Sequence, residues 1–175
     1  MSDIADVPRV VFAHGKESGP WGSKISQLAR IAETLGFAVE SLDYQNMDEA
    51  GQRLAHLIDH APTGAPLVLV GSSMGGYVSA MASAALSPDA MLLMAPALYM
   101  DDYPGDPGHC PLDTVVVHGW NDEIVPVAHS IDFARERYAE LHVVADDHRL
   151  GQSIDFIGRV FAAQLQRALA YSTID

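Results

Sequence analysis

Ser73 stands in Gly71-Ser72-Ser73-Met74-Gly75, directly after the apolar run Leu67-Val68-Leu69-Val70. A buried strand that runs at once into Gly-x-Ser-x-Gly fits a tight strand-to-helix turn. Such a turn pushes one hydroxyl out of the fold, and the glycines at 71 and 75 relieve crowding around its strained backbone. The chemistry this would serve is nucleophilic acyl transfer. A serine hydroxyl is a weak nucleophile at neutral pH and needs a base within hydrogen-bond reach, itself oriented by a third group. The pentapeptide alone is also compatible with a plain glycine-rich turn, so the weight falls on an acid and a base further along the chain.

The acid lies in Val115-Val116-Val117-His118-Gly119-Trp120-Asn121-Asp122-Glu123, a loop just beyond a buried strand. Asp122 is preferred and Glu123 competes with it; either could simply be an acid favoured ahead of a helix N-terminus. The base is read as His148, in Asp146-Asp147-His148 after the next strand and before the last helix. The other histidines are assigned duller roles. His56 and His60, four apart on a helix, read as solvated; His118, ending a strand, reads as packed and hydrogen-bonded; His109, His129 and His142 have no visible partner. The Asp146/Asp147/His148 group lacks the spacing of a multi-ligand metal site, so no metal is expected. An acyl-transfer site also needs donors aimed at the developing oxyanion. The backbone amides of Met74, next to the nucleophile, and of Lys16, in the loop His14-Gly15-Lys16, are the candidates, with the flexible Gly15 permitting close approach.

These residues must be carried by elements that bring them to one place. Short apolar runs at Arg9–Ala13, Ala38–Leu42, Leu67–Val70, Ala90–Met94, Thr114–Val117 and Leu141–Val144 alternate with helical patterns. Several runs are continuous, as suits strands buried on both faces. Ile25, Leu28, Ile31 and Leu35 recur at helical spacing, with Gly36 as a stop. Asn46 and Glu49 resemble a capping box ahead of Leu54, Leu57 and Ile58. Gly76–Leu86 is rich in Ala and Ser, which would let a helix lie close to the sheet. Pro126 suits the first turn of a helix carrying Ile131 and Phe133, and Ile154, Ile157, Phe161, Leu165 and Leu169 mark a final one. The alternation predicts an α/β fold with a mostly parallel sheet of about six strands flanked by helices. The polar motifs follow the strands at their carboxyl ends, where such sheets carry their chemistry.

Bulk properties narrow the function classes. With 175 residues, 49% of them hydrophobic, the expectation is a single domain spanning 1–175 with a sizeable core. The longest nearly apolar run, Ala90–Met100, is too short to cross a bilayer. The stretch Met1–Pro8 lacks the basic cluster and apolar segment of a secretory signal, so a cytoplasmic protein is expected. Ten basic against 23 acidic residues, a net charge of −13, disfavours nucleic-acid and membrane partners. Cys110 is the only cysteine, so no internal disulfide can form, and nothing around it suggests an activated thiol.

The order Ser73…Asp122…His148, with His14-Gly15 upstream, resembles the α/β-hydrolase superfamily. His118-Gly119-x-x-Asp122-x-x-Val125-Pro126 is similar to that superfamily's acid loop. More narrowly, His14-Gly15-Lys16-Glu17-Ser18-Gly19-Pro20-Trp21-Gly22-Ser23-Lys24 and Gly71–Tyr77 resemble small, lidless bacterial hydrolases of the YqiA-like type, described as esterases. The resemblance implies a Ser73-His148-Asp122 triad, oxyanion amides near Lys16 and Met74, and no cofactor. Two departures from the larger superfamily stand out. The N-terminal antiparallel strands are absent, and Ala95–Asp113, where a lid is commonly inserted, is short. An open site is expected, lined by Gly15, Trp21, Tyr99, Tyr103 and Trp120.

The reading is therefore a serine esterase acting on a small-molecule ester or thioester, as a monomer or small homo-oligomer. A thioesterase, acyltransferase or perhydrolase using the same triad is an alternative. A noncatalytic binding protein that kept the fold is another.

Overall fold

Runs of Val, Leu, Met and Ala with no polar alternation become strands that are covered on both faces. The computed structural model describes residues 7–173. The first six residues, part of the stretch read above for a signal, lie outside it, as do the last two. The elements are β1 (Arg9–Ala13), α1 (Ser23–Thr34), β2 (Ala38–Ser41), α2 (Ala50–His60), β3 (Leu67–Ser72), α3 (Met74–Leu86), β4 (Ala90–Met94), β5 (Asp113–Gly119), α4 (Val127–Arg137), β6 (Glu140–Val144) and α5 (Ile154–Ser172). The strands pair in the order β2-β1-β3-β4-β5-β6, every neighbouring pair parallel.

Successive side chains along a strand point to opposite faces, and each face has its own core. Val10, Phe12, Val70, Leu92, Met94 and Val117 pack with Leu28 of α1 and Ile157, Phe161 and Leu165 of α5. Val11, Leu69, Met91, Leu93 and Val116 pack with Leu57 of α2, Val78 of α3 and Phe133 of α4. The fold is thus a three-layer α/β sandwich with two helices on one face and three on the other.

The chain steps from β1 outward to β2, returns past β1 to β3, and then proceeds strand by strand to β6. The direction reverses between β1 and β3, and the loops leaving these two strands diverge there. That divergence opens a crevice at the carboxyl edge of the sheet, the usual ligand site of open parallel sheets. The loop holding His14–Lys16 forms one wall, and the turn holding Ser73 forms the other.

Helix α3 lies unusually close to the sheet, as its small residues allow. A Cβ on Gly75 would stand 1.9 Å from the Ala13 carbonyl oxygen, and one on Gly71 would stand 2.2 Å from that of Gly75. Only hydrogen fits at either position, so these glycines set the depth at which the β3–α3 turn seats. Between β4 and β5 the chain forms no helix. An isolated bridge between Met100 and Tyr103 is its one regular pairing, and no lid covers the crevice.

Two local expectations shift. The Asn46/Glu49 capping box does not form: α2 starts at Ala50 with Glu49 as its N-cap and no side-chain cap bond. Asn46 is instead part of a turn closed by Met47 N–H donating to Tyr44 O at 2.9 Å. Pro126 is the N-cap of α4, one position before the first helical residue. Gly36 ends α1 as expected, with φ +89°, the left-handed conformation that stops a helix.

Candidate active site

The turn that carries Ser73 is strained and held in place. Ser73 has φ +55° and ψ −117°, a region that side-chain-bearing residues rarely occupy. Its N–H donates to Met94 O at 2.9 Å, and its carbonyl accepts from Ala97 N–H at 3.0 Å. The end of β4 and the loop after it therefore grip the turn from outside. The Met74 N–H is the first amide of α3 and has no acceptor within its own helix.

His148 reaches Ser73 from the β6–α5 loop. Its Nε2 lies 2.9 Å from Ser73 Oγ, and its Nδ1 lies 2.7 Å from Asp122 Oδ2. The Asp122 carboxylate can only accept, so Nδ1 carries the proton and Nε2 is left to accept from the serine hydroxyl. Asp122 is fully used: Oδ1 accepts from the Ile124 and Val125 amides, each at 2.8 Å, and its side chain has no exposed surface. Burial alone would raise its pKa, but the Val125 amide, the His148 imidazole and the Ile124 amide together hold it below the ordinary value. Glu123 is exposed at the rim of the site. Of the two candidate acids, Asp122 is the one in contact with His148.

Two more residues complete the support: His118, packed and hydrogen-bonded as its strand-end position implies, and Asp146. His118 is fully buried, and its Nε2 stands 2.9 Å from Asp122 Oδ2 and 3.0 Å from Val125 O. Its Nδ1 meets Ser130 Oγ at 2.7 Å. The Val125 carbonyl can only accept, so His118 is neutral with its proton on Nε2, and Ser130 donates to Nδ1. The carboxylate of Asp122 thus receives three N–H donors, from the Ile124 and Val125 amides and His148, with the His118 ring packed against Oδ2. Asp146, weighed above only as a metal ligand, organises the histidine loop instead. Its carboxylate accepts from the amides of Asp147 at 2.8 Å and Ser153 at 2.9 Å. Its carbonyl accepts from the Asn121 amide of the acid loop at 3.0 Å. Lys24 of α1 adds a further tie, donating to Arg149 O at 3.0 Å beside His148. The strand-end position of His118 and the doubled acid at 146–147 were the available signals, but neither showed which partner each would meet.

A cavity of about 1030 Å³ opens over Ser73 and His148, with Gly15, Lys16, Tyr103 and Ile124 in its walls. A Cβ on Gly15 would lie 3.5 Å from Ser73 Cβ, so the Gly15–Lys16 segment passes directly beside Ser73. Three aromatics expected in the lining are elsewhere. Trp21 and Trp120 are 51% and 59% exposed and lie outside the cavity wall. Tyr99 is drawn away by its hydroxyl, which donates to Glu136 and accepts from Arg137 Nη1 at 3.1 Å, while its ring packs against His129. Among the described residues, no group of three or more His, Cys, Asp or Glu side chains could hold a metal ion. No described helix is long and apolar enough to cross a membrane.

Two buried imidazoles make stability pH-dependent. Burial is the main cause that lowers the pKa of both His14 and His118 below 6.5. In the unfolded chain they regain the ordinary value and bind protons that the native state refuses, so stability rises with pH across that interval. The contribution is present in full above about pH 6.5 and is lost as pH falls from there through the native values. Urea unfolding midpoints are expected to fall between about pH 7.5 and pH 5.5, with a shallower fall in His118→Gln. An unchanged midpoint over that range would mean the two rings are not held neutral.

Comparison with known proteins agrees with the fold. The sequence pattern of the uncharacterised protein family UPF0227 matches residues 9–106. Among solved structures, a proposed hydrolase of the alpha/beta superfamily from Xanthomonas campestris pv. campestris is 35% identical. The match covers 93% of this chain and 99% of that one, with a TM-score of 0.84. A lidless α/β serine hydrolase from Xanthomonas campestris is 24% identical over 95% of this chain and 85% of that one, with a TM-score of 0.64. Est1E from Butyrivibrio proteoclasticus is 16% identical over 95% and 90%, with a TM-score of 0.77. No curated protein matches the chain. The family match, the 35% identity over almost all of both chains and the lidless parallel sheet together establish that this chain belongs to the UPF0227 family of YqiA-like α/β hydrolases.

Proposed function

We propose that this protein is a serine hydrolase that cleaves carboxylic esters or thioesters of small molecules through an acyl-enzyme. The observation that carries this reading is the unbroken relay Ser73 Oγ–His148 Nε2 at 2.9 Å and His148 Nδ1–Asp122 Oδ2 at 2.7 Å, at the floor of an open cavity. His148 takes the proton of Ser73 as Oγ attacks the acyl carbon. Asp122 stays ionised, fixes the tautomer and stabilises the imidazolium that forms. The Met74 and Lys16 amides receive the negative charge that develops on the carbonyl oxygen. His148 then returns the proton to the leaving alcohol or thiol. A water, activated by the same imidazole, attacks the ester carbonyl of the acyl-enzyme and frees Ser73. The crevice has no lid, so nothing has to move aside for substrate to enter.

A fluorophosphonate probe tests this directly. The expected result is one covalent adduct, on Ser73 by peptide mapping, that prior heat denaturation prevents. Absence of labelling under conditions that label a known serine esterase would return the chain to the alternative of a binding protein on a hydrolase scaffold.

A further inference from the structure

Arg53, on the inner face of α2, is a fully buried guanidinium: its residue is 1% exposed. A buried charge is costly unless paired and hydrogen-bonded. Yet among the described residues it forms no ion pair with a carboxylate. Its acceptors are backbone carbonyls. Nε donates to Met47 O at 2.8 Å, and Nη1 donates to His14 O at 3.0 Å and Gly15 O at 3.3 Å. The guanidinium also lies over the Tyr44 ring, 5.4 Å from its centre. The charge is therefore spent on the loop after β1 and on the turn that leads into α2.

The Gly15 carbonyl is the focus of this arrangement. It accepts from three donors: Arg53 Nη1, Ser18 Oγ at 3.4 Å and the imidazole Nδ1 of His14 at 2.7 Å. The His14 tautomer is determined by its other nitrogen, since Nε2 accepts the Tyr44 N–H at 3.0 Å. In a planar trans peptide the C=O and the following N–H point in opposite directions. Holding the Gly15 oxygen toward Arg53 and His14 therefore turns the Lys16 N–H the other way. That N–H has no acceptor among the described residues, and its peptide passes over Ser73. Donors on a carbonyl also polarise its peptide, which strengthens the N–H as a donor.

We infer that Arg53 is a positioning residue for catalysis: it clamps the Gly15 carbonyl so that the Lys16 amide is aimed at the oxyanion formed over Ser73. This rests on the serine-hydrolase reading above and extends it to a residue that never touches substrate. A guanidinium suits the task because it stays protonated and its fork anchors Nε on Met47 O while Nη1 donates to both the 14 and 15 carbonyls.

The test uses Arg53→Met, which keeps length and apolar bulk, and Arg53→Lys, which keeps a cation but not the fork. Each is assayed with an activated ester and with an aryl trifluoromethyl ketone, which forms a tetrahedral adduct with serine. One properly aimed oxyanion donor is worth about 10²–10³ in rate, so kcat is expected to fall about 10- to 100-fold with KM changed less than about threefold. Ketone affinity is expected to fall with kcat, and Arg53→Lys to retain more of both. A simple staple between α2 and the loop would lower the melting temperature without that split. Wild-type kcat in either folded variant, a loss confined to KM, or unchanged ketone affinity would each overturn the inference. Should Arg53→Met not fold, Arg53→Lys and the wild type decide it. In the wild type the Lys16 amide proton should move downfield on ketone binding, and a resonance that stays in place would refute the role. If wild-type protein neither turns over esters nor labels at Ser73, the hydrolase reading itself fails and this inference falls with it. If the wild type does both, only the assignment to Arg53 is at stake.

Discussion

Ser73→Ala is expected to lower ester turnover by about 10⁶ in kcat, the scale on which removing the serine of a protease triad acts. The loss should be confined to chemistry. Ala keeps the Cβ, so the turn stays at its positive φ with the same strain, and the backbone bonds to Met94 and Ala97 do not involve the hydroxyl. Among the described residues the deleted oxygen has one partner, His148 Nε2, in a cavity open to water. A melting temperature within a few degrees of wild type is therefore expected, together with complete loss of fluorophosphonate labelling. Residual turnover from the remaining amides and positioning alone would stand about 10³-fold or more above the uncatalysed rate. Full turnover in a folded Ser73→Ala protein would dismiss Ser73 as the nucleophile.

Asp122→Asn should cost about 10⁴ in kcat, as the corresponding change does in a protease triad, and the reason lies in the direction of protons. The Asp122 carboxylate accepts at both oxygens: two backbone amides on Oδ1 and the His148 imidazole on Oδ2. An asparagine has one accepting oxygen. With that oxygen on the Ile124 and Val125 amides, its NH₂ faces His148 Nδ1, which must then accept. The imidazole proton moves to Nε2 and points at Ser73, the wrong tautomer for a base. His118 need not change tautomer, because its Nε2 proton is held by the Val125 carbonyl and its Nδ1 by Ser130 Oγ. The variant should therefore fold while losing activity. Glu123→Gln, at an exposed residue on the rim, should stay within about twofold of wild type on the same ester. The opposite pattern, with Glu123→Gln crippled and Asp122→Asn active, would assign the acid to the wrong carboxylate.

The elements were readable because their signals are local. Continuous apolar runs of Val, Leu and Met mark strands covered on both faces, and the three- to four-residue spacing of α1 and α5 survives in their buried stripes. The strand cores read from the sequence coincide with β1 and β4 and fall within one or two residues of the rest. Local signals also misled where local alternatives compete. Asn46 and Glu49 have the letters of a capping box, but the Tyr44–Met47 turn and the grip of Arg53 on Met47 O take that segment out of the helix. Aromatic residues beside a motif read naturally as pocket walls. Yet Trp21 and Trp120 face solvent, and the Tyr99 hydroxyl is held by charges on α4.

What the sequence by itself determined about this protein is the alternation of strand and helix, the glycine-bounded Ser73 turn, and the chain order of serine, acid and histidine. These come from periodicity and from residue types within a few positions of one another. Only the tertiary structure decided which acid meets His148, that His118 and the backbone amides complete the shell of Asp122, and that Asp146 secures the histidine loop. It also placed a buried Arg53 behind the Gly15–Lys16 peptide. The physical reason is distance along the chain. A hydrogen bond between residues 53 and 15, or 148 and 73, is specified by how β1, β3, β5 and β6 stack in register and where their loops emerge. No local pattern at either end of such a bond carries that information.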